Sequence, residues 1–236
     1  MGDLLRDGAV ALLGRTSERD DTAEGARELA GLIGARTVGG VEPPRVGRWD
    51  EDLKSARPVL EAARAEVEAG TRVFVAGHCN LAITTLPALA AAHPGLRVAW
   101  FDAHPDFNTP QSSGSGFLGG MPLAAACGVW DAGYDGTLDP SHVHLMGARD
   151  VDPGERQLLD AHGVHETPPE DGPVFVHLDL DVLDPSLMPA AFGVSGGWGW
   201  EELEASLSEL PDLIGIEVTG CAPGHAQRVA DTLARL

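Results

Sequence analysis

The densest chemistry in the sequence lies in Trp100-Phe101-Asp102-Ala103-His104-Pro105-Asp106, where three potential ligands stand at i, i+2 and i+4. In extended backbone such residues share one face. Carboxylate and imidazole together suit a hard-to-intermediate divalent ion; the alternative is a set of loop-capping polar residues. A second cluster, His177-Leu178-Asp179-Leu180-Asp181-Val182-Leu183-Asp184-Pro185, places Asp179 and Asp181 on one face at the end of an apolar stretch. Two carboxylates held that close repel each other unless a cation lies between them. Asp184, before a proline, reads as a turn or cap residue. His177 reads as structural, on the strand face opposite the ligands.

Two further stretches carry reactive side chains. Ala76-Gly77-His78-Cys79-Asn80 follows the apolar segment 72–75. Its glycine permits a sharp turn that brings His78 and Cys79 to a sheet edge side by side. The alternative for Cys79 is a small buried hydrophobe. Gly215-Ile216-Glu217-Val218-Thr219 places a carboxylate in an apolar strand. That is costly unless the charge is paired, either with a cationic substrate or with an internal arginine. Cys127, in an Ala-rich helix, and Cys221, in a loop, read as structural.

These clusters need a scaffold that ends several strands at one place. Segments 9–13, 72–76, 97–102, 143–146, 173–181 and 213–218 are rich in Val, Phe, Ile and Leu without strict polar alternation, as strands covered on both faces are. Between them, 20–35, 50–69, 81–92, 153–162 and 200–210 have helical spacing, and Asp50 or Pro153 can start a helix. The alternation predicts an α/β fold: a single domain over residues 1–236 with a doubly wound, mostly parallel sheet and helices on both faces. Segments 42–45 and 131–140 read as surface loops. In such sheets ligands bind beyond the carboxyl ends of the strands, where these clusters fall.

With 16 Lys+Arg against 36 Asp+Glu, the net charge is −20. That balance argues against nucleic acid and anionic membrane surfaces as partners. It favours divalent ions and cationic small molecules. The cysteines number three, with no C-x-x-C spacing, which suits a reducing compartment. Asp3, Arg6 and Asp7 interrupt the first apolar stretch, and no run is long enough to span a bilayer. Arg6 also stands where a myristoylation site needs Ser or Thr. The expectation is a cytoplasmic protein.

Taken in order, the blocks AGHCN, DAHPD, HLDLDVLDP and EV resemble the strand-end blocks of the arginase/agmatinase (ureohydrolase) family: G-G-D-H-S, D-A-H-x-D, S-x-D-x-D-x-x-D-P and E-V. Asn108-Thr109-Pro110 with Ser115-Gly116, and the segment 147–155 (GARDVDPGE), match two more. The resemblance thus runs over nearly the whole chain. It implies hydrolysis of a C–N bond in a guanidino compound, releasing urea or a substituted urea. It further implies two divalent metal ions, manganese in kind, held by Cys79, Asp102, His104, Asp106, Asp179 and Asp181, with Asp102 and Asp179 bridging. Asp106 would relay a proton to the leaving amine, and Glu217 would pair with the guanidinium. Asn108, Ser115, Phe117, Asp152 and Glu155 would line the route to the far end of a small cationic guanidino substrate. Family members are commonly trimers or hexamers, which makes a homo-oligomer part of what is implied.

Three departures from the family pattern matter. Cys79 stands at the family's ligand histidine and His78 at its aspartate, which leaves open which of the two is the sixth ligand. A thiolate would weaken the preference for manganese and favour zinc or iron. Gly119 replaces a histidine proposed to shuttle protons, and Phe117 replaces an asparagine that contacts the amino-acid end of arginine. A branch of the family with Cys and Asn in the turn includes an enzyme acting on Nω-hydroxyarginine. The expected substrate is therefore an arginine derivative of that kind, with arginine or agmatine as alternatives. Two other classes compete: a one-zinc, deacetylase-like amidase, and a non-catalytic regulatory homologue. The retained aspartates and the EV block weigh against both.

Overall fold

Among the described residues seven strands, all parallel, form one sheet in the order β2-β1-β3-β7-β6-β4-β5. They are β1 (Ala9–Leu12), β2 (Arg36–Val38), β3 (Val73–Ala76), β4 (Arg97–Phe101), β5 (Val143–Met146), β6 (Val174–Asp179) and β7 (Leu213–Thr219). Helices α1 (Asp21–Ile33), α2 (Trp49–Glu68), α3 (Ala82–Ala92), α4 (Pro122–Ala126), α5 (Pro153–His162), α6 (Trp200–Glu209) and α7 (Ala226–Leu233) cover both faces. The structure is a computed structural model that describes residues 4–5, 8–12, 21–39, 47–190 and 192–236. Leu13 of the first expected strand, Asp20 of the first expected helix, the loop 42–45 and positions Asp3, Arg6 and Asp7 lie outside the described residues. Among the described residues no helix is long and apolar enough to cross a membrane.

Each strand divides its side chains between two cores. On one face Phe74, Trp100 and Phe175 pack with Leu60 of α2, Leu86 of α3, Leu123 of α4 and Leu159 of α5. On the other, Val75, Phe101 and Val176 pack with Leu29 of α1, Leu203 of α6 and Val229 of α7. Burial on both sides is why the strands read as unbroken apolar runs. Two elements were not expected. β2 is an edge strand of three residues that buries none of them fully, so it has no apolar run to read. In α7 the buried Ala226, Val229, Ala230 and Leu233 do have helical spacing, but the helix is only eight residues long.

The strands stop earlier than the apolar runs suggest, and side chains are the cause. β4 ends at Phe101 and β6 at Asp179. The Asp102 carboxylate accepts from His104 N at 2.7 Å, and the Asp179 carboxylate accepts from Asp181 N at 2.9 Å. Short carboxylate side chains that capture the amide two residues on turn the chain instead of extending it. Asp102, His104 and Asp106 therefore converge from a loop, and Asp181 from a 3₁₀ turn (Leu180–Val182), where the sequence predicts one face of extended strand.

A bulge sets which β7 residues face the site. Val174 lies opposite Leu213, but Phe175 lies opposite Gly215, so Ile214 is an extra residue. After this shift Gly215, Glu217 and Thr219 stand beside Phe175, His177 and Asp179. Gly215 leaves room for its neighbours: a Cβ there would lie 2.5 Å from the Arg72 carbonyl oxygen and 2.9 Å from the Phe175 ring. Gly215→Ala is expected to lower the unfolding free energy by about 1–3 kcal/mol through overpacking. Urea titration of both proteins checks this, and an unchanged midpoint with an unchanged slope would mean that the strand pair has slack at this point.

Candidate metal centre

The pairing of strands lays the floor of the site. Phe74, Glu217, His177 and Trp100 form one row across β3, β7, β6 and β4. Two residues further on, Thr219 pairs with Asp179 at the strand ends, and Asp102 follows β4. The His177 ring stacks on Trp100, with centroids 3.6 Å apart and planes 7° apart.

Around this floor the ligand-type atoms converge. Cys79 Sγ lies 3.1 Å from Asp179 Oδ2, 3.5 Å from Thr219 Oγ1 and 4.0 Å from Asp102 Oδ2. Thr219 Oγ1 donates to Asp179 Oδ2 at 2.9 Å. His104 Nδ1 lies 3.3 Å from Asp102 Oδ1 and 3.1 Å from Asp181 Oδ2, and Ala103 N donates to Asp181 Oδ1 at 2.9 Å. Two groups result, Asp102 with His104 and Asp181, and Asp102 with Cys79 and His177, each with ligand atoms mutually within 4.8 Å. His78, the other candidate from the same turn, directs Nε2 to Thr22 Oγ1 of α1 at 3.1 Å. Cys79 is thus the member of that pair that faces the carboxylates.

Asp106 is held in a strained turn. Its φ of 51° is the only positive value at a non-glycine residue among the described residues. Its carbonyl accepts from Leu123 N and Ala124 N at 3.1 and 3.4 Å, at the start of α4. Phe107 N, next in the chain, donates to Glu155 Oε1 at 2.7 Å. The Asp106 Oδ2 atom is buried without a hydrogen-bond partner.

Burial dominates the electrostatics. It pushes the carboxyls of Asp102, Asp106 and Asp179 above the usual carboxylate range, and their neighbours' charges add to the effect: Asp181 at Asp102 and Asp179, Glu155 at Asp106. Burial and then Asp179, Asp106 and Asp102 drive the Cys79 thiol well above its ordinary value. Burial would lower His104, but hydrogen bonds to Asp102 and Asp181 outweigh it and carry the imidazole up to about 12. Burial would likewise raise Asp181, yet His104 brings it below the usual range. The set is short of positive charge, and oxygen, nitrogen and sulfur donors with an unpartnered Asp106 oxygen fit divalent metal ions.

Other expected residues take up distinct places. Glu217 is 0% exposed; its Oε1 meets His177 Nδ1 at 3.0 Å and its Oε2 accepts from Thr85 at 2.9 Å, so its internal partner is a histidine and not an arginine. Each oxygen keeps a second acceptor site, but at 0% exposure a guanidinium meets Glu217 directly only if the packing over it opens. His177 does not face away from the ligands: strand alternation has a period of two, which puts it on the face of Asp179, and the opposite-face reading is corrected. Glu155 is buried, and its oxygens accept from Phe107 N and Asp152 N, closing a capping box at the start of α5. Burial pushes Glu155 up to about 7. Asn108 Nδ2 donates to the exposed Asp152 at 3.4 Å, and the exposed Ser115 accepts from Phe117 N at 3.2 Å. The Phe117 ring lies where a side chain at Gly119 would begin, with a Cβ there 2.4 Å from its Cε1. Sequence reasoning gave no role to Arg149, which donates to the carbonyls of Asp181, Val182 and Val194 at 2.8, 3.1 and 2.9 Å and ties down the turn that carries Asp181. Nor did it single out Thr219, although Thr219 shares the parity of Glu217.

Known proteins resemble the chain in both sequence and fold. The model of the Arginase family matches residues 49–171 and 164–235. The chain is 36% identical over 233 residues to the N(omega)-hydroxy-L-arginine amidinohydrolase of Streptomyces lavendulae, spanning 90% of this chain and 85% of that protein. It is 35% identical over 187 residues to the arginase of Brucella melitensis biotype 1, spanning 65% of this chain and 60% of that one. Its fold is similar to the crystal structure of arginase from Bacillus subtilis, with a TM-score of 0.81 at 22% identity and 96% of each chain covered. Matched by the family model along most of its length, and carrying the converging aspartates at the strand ends, the chain belongs to the arginase family.

Proposed function

We propose that this protein is a metal-dependent hydrolase that cleaves a C–N bond in the guanidino group of an arginine derivative, Nω-hydroxyarginine foremost, and releases urea or a substituted urea. The observation that carries this reading is the convergence of four buried aspartates with His104 and Cys79 at the strand ends. Family membership and the 36% identity to an Nω-hydroxy-L-arginine amidinohydrolase support it. In this reading Cys79, Asp102, His104, Asp106, Asp179 and Asp181 would hold two divalent ions, manganese first, Asp102 and Asp179 serving both. Ions bound there would lower the pKa of water toward neutrality and so supply hydroxide for attack on the guanidino carbon.

The chain's own residues supply the rest. Asp106, with a buried oxygen that no hydrogen bond engages, takes the proton that the attacking water gives up and passes it to the leaving amine. Glu217 adds a buried negative charge beneath the centre, held by His177 and Thr85. At the mouth, Asp152 beside Asn108 offers a carboxylate to an α-ammonium group. Ser115 shapes the entrance loop through Phe117 N. Phe117, whose ring pairs with Phe192 at a centroid distance of 5.3 Å, narrows the entrance in this reading. An N-hydroxyl draws electron density from the guanidine, which makes it less basic and easier to attack, so a missing imidazole at Gly119 matters less. The test is a comparison of kcat/KM for arginine, agmatine, guanidinobutyrate and Nω-hydroxyarginine under one metal condition. Nω-hydroxyarginine should lead; a clear preference for agmatine or guanidinobutyrate, which lack the α-amino acid end, would sink the assignment.

Metal removal should change how stability responds to pH. Because Asp102, Asp106 and Asp179 are raised and Glu155 stands at about 7, the folded chain keeps protons that the unfolded chain has already released. The stability of the metal-free protein therefore falls as pH rises from about 4 toward 7. Divalent ions compete with those protons, so their stabilising effect grows over the same window. The melting temperature gap between loaded and chelated protein should widen from about pH 5 to about pH 8; a constant gap would argue against carboxylates as the ligands.

Phe117 and Gly119 should behave as one unit. Gly119→His alone forces the Phe117 ring aside, whereas Phe117→Asn makes room for it. A double-mutant cycle in stability should give a coupling of about 0.5–3 kcal/mol in favour of the double variant. Strict additivity would show that the ring swings away freely.

A further inference from the structure

The reading above gives His177 one task, to hold Glu217 through Nδ1, and leaves its other nitrogen unused. It is fully buried, and its Nε2 has no hydrogen-bond partner. Such an atom is costly unless something engages it. Its other nitrogen, Nδ1, meets Glu217 Oε1 at 3.0 Å. A carboxylate only accepts, so Nδ1 carries the proton in that contact and a neutral ring presents Nε2 as a lone-pair donor. Glu217 is itself fixed by Thr85, and stacking on Trp100 fixes the plane of the ring. Carboxylate to imidazole to metal is the arrangement that orients ligating histidines. A His177 ring nitrogen, Cys79 Sγ and an Asp102 oxygen lie within 4.8 Å of one another. Donors at about 2.0–2.3 Å from a shared ion stand roughly 3–4 Å apart, so small adjustments would close the group on an ion.

Resting on the reading of this centre as metal-binding, we propose that His177 is itself a metal ligand through Nε2 and that the two halves of the centre prefer different ions. The half built from Cys79, His177 and Asp102 offers sulfur, nitrogen and oxygen, a set that suits zinc. The half built from Asp102, His104 and Asp181 is richer in oxygen and suits a harder ion such as manganese. Asp102 belongs to both, and so does Asp179 in the reading above, its Oδ2 lying 3.1 Å from Cys79 Sγ. Glu217 then acts on the metal through His177, as a positioning residue.

The test uses the full chain, stripped with a chelator and reloaded with zinc alone at one equivalent. X-ray absorption should find about one sulfur and about one imidazole around the same zinc. Sulfur without imidazole would overturn the proposal, while failure of the wild-type chain to hold zinc or manganese at all would sink the metal reading itself. In solution, His177→Asn keeps a donor for Glu217 but loses the coordinating nitrogen. Its zinc affinity should fall at least as far as the roughly 10–100-fold expected for Glu217→Gln, which removes only the orienting carboxylate. Manganese binding at the His104 half should change little in either variant. With cobalt(II) as probe, His177→Asn should keep the sulfur-to-cobalt charge-transfer band and alter the visible ligand-field bands. Unchanged zinc affinity and unchanged cobalt spectra in a folded His177→Asn protein would overturn the proposal. If that variant does not fold, as judged by circular dichroism, the wild-type absorption result decides alone.

Discussion

Asp102, Asp106, Asp179 and Asp181 are 2%, 5%, 9% and 6% exposed, and each stands in the field of the others. Like charges withdrawn from water and held this close oppose folding, and much of the surrounding structure can be understood as resistance to their separation. Strand pairing fixes the floor. Thr219 and the Asp181 amide hold Asp179, Ala103 N holds Asp181, and Arg149 grips the carbonyls of the turn behind it. Gly220, at a φ of 70°, lets the chain after β7 pass so near that a Cβ would sit 2.3 Å from an Asp179 oxygen. Glu155 fastens the backbone beside the strained Asp106. The same repulsion that such fastenings oppose becomes affinity once divalent cations enter, since the arrangement is then already assembled for them.

The converging carboxylates were legible in the sequence because they cluster at short, regular spacing where apolar runs end. The parallel sheet was legible because strands buried on both faces leave a composition that solvent-facing strands do not. What escaped has physical reasons. The turns at Asp102 and Asp179 depend on side chains capturing nearby amides, which overrides the strand preference of the flanking residues. The partner of Glu217 depends on which β6 residue lies beside it, and that is set by the extra residue at Ile214. His177 was misread for a simpler cause: counting by twos from Asp179 puts it on the ligand face. Glu155 carried a local signature, since Asp152 three residues before a glutamate with Pro153 between is a helix-start pattern. The structure uses it as one.

The floor of the site ties the sheet to the chemistry above it. Trp100, His177 and Glu217 are neighbours by register, and Thr85 reaches the row from α3. A shift of β6 against β7 by one residue would turn these side chains to the opposite core. Packing beneath the centre and the identity of its donors are therefore one specification, since the Trp100 ring stacks directly on His177.

The contact between Phe117 and Gly119 constrains history as well as shape. In the present packing the aromatic ring and any side chain at 119 occupy the same space. A lineage passing from an imidazole at 119 to an aromatic ring at 117 has an easy order and a hard one: vacate 119 first, then fill the space from 117. Taken in reverse, the ring must leave before an imidazole can return. The two positions thus exchange occupants only through a state in which neither side chain is present, and that state is passed in both directions.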